Sequence, residues 1–141
     1  MKSESAPHLI VIDTNIVLDA FVFNDIAAQP LLDGLRAGTL RWIATQPMRD
    51  ELERVLTYPQ IVKRLHYYAL KAEAVLARFD DHAHLQPIAA KAPVTCKDPD
   101  DQKFIDLAVA HRSLLLSKDH AVLCMEKRLL AHAVTTQAAI K

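Results

Sequence analysis

The run Leu9-Ile10-Val11-Ile12-Asp13-Thr14-Asn15 constrains this chain more than any other stretch. Four consecutive apolar residues, three of them β-branched, offer no polar face to solvent. They predict a strand buried on both sides, as in a parallel sheet. The run stops at an acid, so Asp13 is expected at the carboxyl edge of that strand, the edge where open α/β sheets bind ligands. The competing reading is a helix cap, because strand-to-helix turns favour Asp, Asn and Thr. Other acids arriving at the same edge would decide between the two.

The rest of the chain alternates in the same way. Ile16 to Phe23 reads as a short helix broken at Asn24-Asp25. A second helix runs from Ile26 to Ala37 and stops at Gly38. Leu40 to Ala44 is a strand. Thr45 or Gln46 caps a helix with Pro47 in its first turn, ending before Tyr58-Pro59. A turn of helix follows around Gln60 to Arg64. The segment Leu65 to Phe79 places Leu65, Ala69, Ala72, Leu76 and Phe79 on one stripe. His84 to Ile88 is a weak strand that Pro87 confines to a sheet edge. Asp98 opens a helix to about His111, Leu114 to Ser117 is a short buried strand, and a helix spans His120 to about Ala131. Ala133 to Thr136 is a last strand. The expected fold is a three-layer α/β/α sandwich around a parallel sheet of four to five strands.

With 141 residues, 51% of them apolar and 24% charged, the chain is expected to form one domain over 1–141, with residues 1–7 a flexible tail. No apolar run approaches the roughly 20 residues that span a bilayer. The polar N-terminus lacks the apolar centre of a signal peptide, so a cytoplasmic, non-membrane protein is expected. Cys96 and Cys124 have no CxxC spacing, against a disulfide scaffold or a structural zinc site. Net charge is 0, but seven Lys/Arg face three acids between Arg36 and Lys71, a mild basic bias that a solvated helix face explains equally well.

Two acids break the local pattern. Met48, Glu51, Leu52 and Val55 share one helical face, so Glu51 lies on the stripe that meets the sheet. A buried carboxylate there needs a cation or a partner. Asp101 repeats the case with Phe104, Ile105 and Ala108. Against it, Asp98, Pro99 and Asp101 also resemble a capping box. Asp119 follows the Leu114–Ser117 strand and either caps the next helix or stands beside Asp13. In a parallel sheet Asp13, Glu51, Asp101 and Asp119 all fall at one edge. Clustered carboxylates without His or Cys suit a hard cation, Mg²⁺ or Mn²⁺ rather than Zn²⁺. Such an ion favours phosphoryl chemistry.

Ile-Asp-Thr-Asn near the N-terminus, an Asp-Glu-Leu helix, Asp-Pro-Asp-Asp-x-x-Phe-Ile-x-Leu-Ala and Leu-Leu-Ser-Lys-Asp, in this order, resemble a PIN domain over Leu9 to Thr136. The likeness is closest to PIN proteins described as toxin components of toxin–antitoxin systems. The resemblance implies a Mg²⁺- or Mn²⁺-dependent ribonuclease acting on single-stranded or structured RNA. It places the metal-binding and catalytic acids at Asp13, Glu51, Asp101 and Asp119. Asn15 would orient Asp13, Ser117 would position a ligand or phosphate, and Asp98 and Asp100 would be accessory. It also implies an antitoxin partner and a homodimer. Two departures stand out. His111-Arg112-Ser113 replaces a turn that often holds glycine, and Ala121 replaces a frequent second acid.

Other functions fit less well. A non-catalytic PIN-fold module binding RNA or protein would leave the acids as caps, and metal-dependent activity separates it from the nuclease. A haloacid-dehalogenase-type phosphatase needs an acid where Asn15 stands. Dinucleotide binding is disfavoured by two glycines and no GxGxxG.

Overall fold

A computed structural model describes residues 7–140. Of the expected tail, 1–6 lie outside the described residues, and Pro7 is exposed.

Among the described residues five strands, β1 (His8–Ile12), β2 (Leu40–Ala44), β3 (Ala83–Leu85), β4 (Leu114–Leu116) and β5 (Thr136–Gln137), form one sheet in the order β3-β2-β1-β4-β5. Every pairing is parallel. Helices lie on both sides, as the alternating pattern requires. They are α1 (Thr14–Phe21), α2 (Gln29–Ala37), α3 (Gln46–Val55), α4 (Pro59–Tyr67), α5 (Ala72–His82), α6 (Gln102–His111), α7 (His120–Leu123) and α8 (Glu126–Leu130). Central β1 buries Ile10, Val11 and Ile12 without alternation, because helices cover both of its faces. Trp42 of β2 packs edge-on against Phe79 of α5, with ring centroids 4.8 Å apart, and also meets Phe21 of α1.

The strand order reverses direction between β1 and β4. From β1 the chain winds outward through β2 to β3, then returns to place β4 on the other side of β1. In open α/β sheets ligands bind outside the carboxyl ends of strands flanking such a reversal, and here those strands are β1 and β4.

Four expected boundaries shift. The stripe from Leu65 to Phe79 is two helices, not one. Ala69 takes a left-handed conformation (φ 53°), and Leu70 N–H reaches back to the Leu65 carbonyl. That 6→1 bond is the closing motif of a helix and turns the chain out of α4. A left-handed alanine is strained by its Cβ. Ala69→Gly is therefore expected to stabilise the protein by about 0.5–1 kcal/mol in urea unfolding. A loss of stability would show that the turn is held by something other than this backbone conformation.

The helix expected from His120 to Ala131 breaks at Cys124-Met125, where Met125 leaves helical dihedrals. Val122, Met125 and Leu129 are all fully buried across the break. The last strand begins later than Ala133, because Ala133 (φ 63°) and Val134 are used in closing α8 onto Leu130 and Leu129. Pairing with β4 starts only at the Thr135 carbonyl. The edge strand is Ala83–Leu85 rather than His84–Ile88, and Pro87 lies beyond it. At the turn before β4, Arg112 adopts the left-handed conformation (φ 51°) that glycine would otherwise supply.

Candidate metal centre

Asp13 sits where β1 becomes α1. Its N–H donates to the Leu116 carbonyl of β4, and its own carbonyl accepts from Ile16 and Val17 in the first turn of α1. The side chain caps nothing. It is 4% exposed, and Ser117 Oγ donates to its Oδ2 at 2.6 Å. The cap reading of Asp13 thus fails, and the carboxylate is held by Ser117, just past the end of β4.

Asp119 does both things expected of it. Its Oδ1 accepts from Ala121 N–H and caps α7, and it also lies beside Asp13. Ser117, fully buried, joins the two acids by accepting from Asp119 N–H at 3.0 Å while donating to Asp13. Half-exposed Lys118 pairs with buried Asp19 of α1 at 2.5 Å and pins this turn. Asp101 closes the short 3-10 turn that precedes α6 and is 7% exposed. Its side chain makes no cap bond; Asp98 is the cap, accepting from Asp100 N–H.

One carboxylate oxygen from each of Asp13, Asp101 and Asp119 lies within 4.8 Å of the other two. Asp101 Oδ2 is buried with no hydrogen-bond partner among the described residues. An orphaned anionic oxygen at that depth is costly and calls for a cation. The residues therefore fit a divalent metal, and the all-oxygen donor set suits Mg²⁺ or Mn²⁺.

Without the ion, the acids resist ionisation. Asp101 is pushed up to about 8, first by burial, then by the adjoining Asp119 carboxyl and by the charges of Asp13, Asp119 and Asp98. Asp13 is raised by burial above all. The Ser117 hydrogen bond opposes that rise, and the charges of Glu51 and Asp119 add to it.

Glu51 stands next to this trio rather than within it. Its side chain is 14% exposed, and both oxygens are taken: Oε2 by Thr14 Oγ1 at 2.5 Å and Oε1 by Lys103 Nζ at 2.5 Å. The cation that its apolar stripe demanded is a lysine of α6. Asn15 does not orient Asp13. It is exposed and forms no hydrogen bond to Asp13, because the helix turns its side chain outward. Ser117 does that work and is too deeply buried to touch a phosphate. Asp100 is exposed and contributes its carbonyl to Lys103. Thr14 and Lys103 were not legible as site residues. Lys103 follows three acids in the sequence, and that adjacency was the available signal.

Ser117→Ala is expected to weaken Mn²⁺ binding about 10–100-fold, as loss of a ligand's orienting partner does. It should also destabilise the protein by about 1–3 kcal/mol, since Asp119 N–H loses its acceptor. Titration of Mn²⁺ by thermal shift reads both. Unchanged affinity would mean that Asp13 is held in place without Ser117.

Fold and site together define a class: parallel α/β proteins that gather carboxylates for a divalent metal where the strand order reverses. The chain belongs to the PIN domain family, whose model matches residues 9–121. That family goes with metal-dependent nuclease activity and RNA binding, and the buried aspartate cluster is consistent with it. Comparison with curated proteins finds no match. No helix among the described residues is long and apolar enough to cross a membrane.

Proposed function

We propose that this chain is an endoribonuclease that hydrolyses phosphodiester bonds of single-stranded or structured RNA with Mg²⁺ or Mn²⁺. The observation that carries the reading is the unpartnered Asp101 Oδ2, buried beside Asp13 and Asp119 at the carboxyl edge where the strand order reverses between β1 and β4. Asp13, Asp101 and Asp119 would hold the metal, with Glu51 alongside. When bound, the ion supplies an activated water and charge stabilisation for the phosphoryl group. The protein's own part is arrangement. Ser117 fixes Asp13 and the Asp119 backbone relative to each other. Thr14 and Lys103 fix Glu51. Burial of Asp13 and Asp101 keeps bulk water from screening the charges.

The likeness to toxin PIN proteins supports a finer reading: the toxin of a type II toxin–antitoxin pair, one cytoplasmic domain acting as a homodimer. Its antitoxin would insert an Arg fork among the carboxylates and displace the metal. A co-purified partner that leaves the acids open to Mn²⁺ would count against that regulator.

The test of the nuclease reading is incubation of the purified protein with mixed RNAs in Mn²⁺, in Mg²⁺ and in EDTA. Cleavage in metal and none in EDTA is expected. Binding without cleavage in any metal would favour a non-catalytic module, and full cleavage in EDTA would remove the metal from the chemistry.

A further inference from the structure

We propose that Lys103 is a substrate-binding residue of this centre. Tethered beside the three aspartates, its ammonium presents a free N–H to a non-bridging oxygen of an RNA phosphate. The inference rests on the nuclease reading and adds to it a contact made by the protein itself.

Asp13, Asp101, Asp119 and Glu51 carry four negative charges when ionised, and one divalent cation neutralises two. The substrate is itself an anion. A site left negative would repel it unless the protein adds positive charge close by. Among the described residues, Lys103 is the one whose ammonium is bonded directly to a carboxylate of this group.

Its placement is constrained. Nζ donates to Glu51 Oε1, and Glu51 is tied through Oε2 to Thr14, the neighbour of Asp13 in sequence. Nζ also donates to the carbonyl of Asp100, the neighbour of Asp101. The ammonium therefore bridges the two segments that carry Asp13 and Asp101. The ring of buried Phe104 lies 5.0 Å from Nζ and limits its freedom on another side. An ammonium has three donors. Two are used, and the side chain keeps 25% of its surface exposed, so the third is open to a ligand. The pair is largely buried, with side-chain exposures of 25% and 14%, so the ammonium is held in one place. The tether is explained by positioning, because a flexible lysine held in place loses less freedom when phosphate arrives. In this arrangement Glu51 acts on the substrate through Lys103.

The test separates substrate binding from metal binding. Affinity for a short labelled single-stranded RNA is measured across a salt series in Mn²⁺. The background is Asp13→Asn, so that RNA stays intact, and the comparison is with Asp13→Asn/Lys103→Met and Asp13→Asn/Lys103→Arg. Mn²⁺ affinity of wild type, Lys103→Met and Lys103→Gln is measured by thermal shift. Loss of one phosphate contact should weaken RNA binding about 3–10-fold and reduce the slope of log K against log salt by about 0.7. The Arg variant should retain the slope of the Asp13→Asn background, and the Mn²⁺ affinity of the neutral variants should stay within about twofold of wild type. If Lys103→Met does not fold, Lys103→Gln takes its place in the salt series. An unchanged slope overturns the proposal. So does a several-fold gain in Mn²⁺ affinity with either neutral variant, which would make Lys103 a stand-in displaced from Glu51 by the metal. Failure of the wild-type protein to cleave RNA in Mn²⁺ would instead remove the nuclease reading on which the proposal rests.

Discussion

Asp13→Asn is expected to lower RNA cleavage in Mn²⁺ by at least about 10²–10³-fold, the loss of several kcal/mol of metal-held charge stabilisation, and to leave the fold intact. The substitution is nearly isosteric. An amide oxygen can still accept the Ser117 hydrogen bond now made to Oδ2. The Asp13 backbone bonds to Leu116, Ile16 and Val17 do not involve the side chain. What is removed is the charge, at a carboxylate that is 4% exposed and belongs to the aspartate trio. A neutral amide is a poor ligand for a hard cation. Single-turnover cleavage, with melting temperature as a control, makes the measurement. Undiminished cleavage in a folded Asp13→Asn protein would mean that the chemistry lies elsewhere on the molecule.

Asp101→Asn should abolish cleavage as well, yet leave the metal-free protein more stable at alkaline pH. Folding raises the Asp101 pKa to about 8, from an unfolded value of about 3.9. The folded state then binds this proton more tightly than the unfolded chain. Stability from that difference is fully present below about pH 4 and is lost as pH rises through about 8. Above that range the ionised carboxylate is buried against Asp13 and Asp119 with one oxygen unpartnered. An asparagine removes that charge. We expect a gain of about 1–2 kcal/mol for metal-free Asp101→Asn at pH 8.5, and little difference from wild type near pH 4. The rise in melting temperature caused by Mn²⁺ should shrink in the variant, because stabilisation by a ligand follows its affinity. Thermal melts across pH, in EDTA and in Mn²⁺, read both effects. A variant less stable than wild type at pH 8.5, with its Mn²⁺ shift intact, would make Asp101 a structural acid. Asp98→Ala supplies the contrast. Asp98 is the residue that caps this turn, so its loss should cost about 1 kcal/mol whether or not metal is present.

Glu51 differs from Asp101 in this respect. Read as an unpaired acid on an apolar stripe, it looks like a residue whose neutralisation relieves repulsion. In the structure Lys103 and Thr14 occupy both of its oxygens. Neutralising Glu51 would leave Lys103 short of a partner, so no gain in stability is expected from Glu51→Gln.

Several features could be read from the residues because each follows from a local rule. Leu9 to Ile12 could only be a strand covered on both faces. Alternation of strands and helices required a parallel sheet, and a parallel sheet puts the residues after β1 and β4 at one edge. Asp13 and Asp119 were therefore placed by topology. Asp101 was placed because its stripe with Phe104, Ile105 and Ala108 turned it inward. Three of the four boundaries that moved depend on single backbone conformations, at Ala69, Met125 and Ala133. Nothing in the alanine codes at 69 and 133 announces a left-handed φ, since that conformation is imposed by how the flanking helices pack.

The sequence by itself thus determined the α/β architecture, the edge at which the acids meet and the all-carboxylate character of the set. Periodicity and residue type carry that information along the chain. Only the tertiary structure decided how the acids divide. Asp13, Asp101 and Asp119 share one space, while Glu51 is drawn aside by a lysine 52 positions away. Asn15 faces solvent, and Ser117, 104 positions from Asp13, holds it instead. Contacts between residues so far apart depend on how helices seat on the sheet and which rotamers that seating allows. No pattern within a single helix or strand records them.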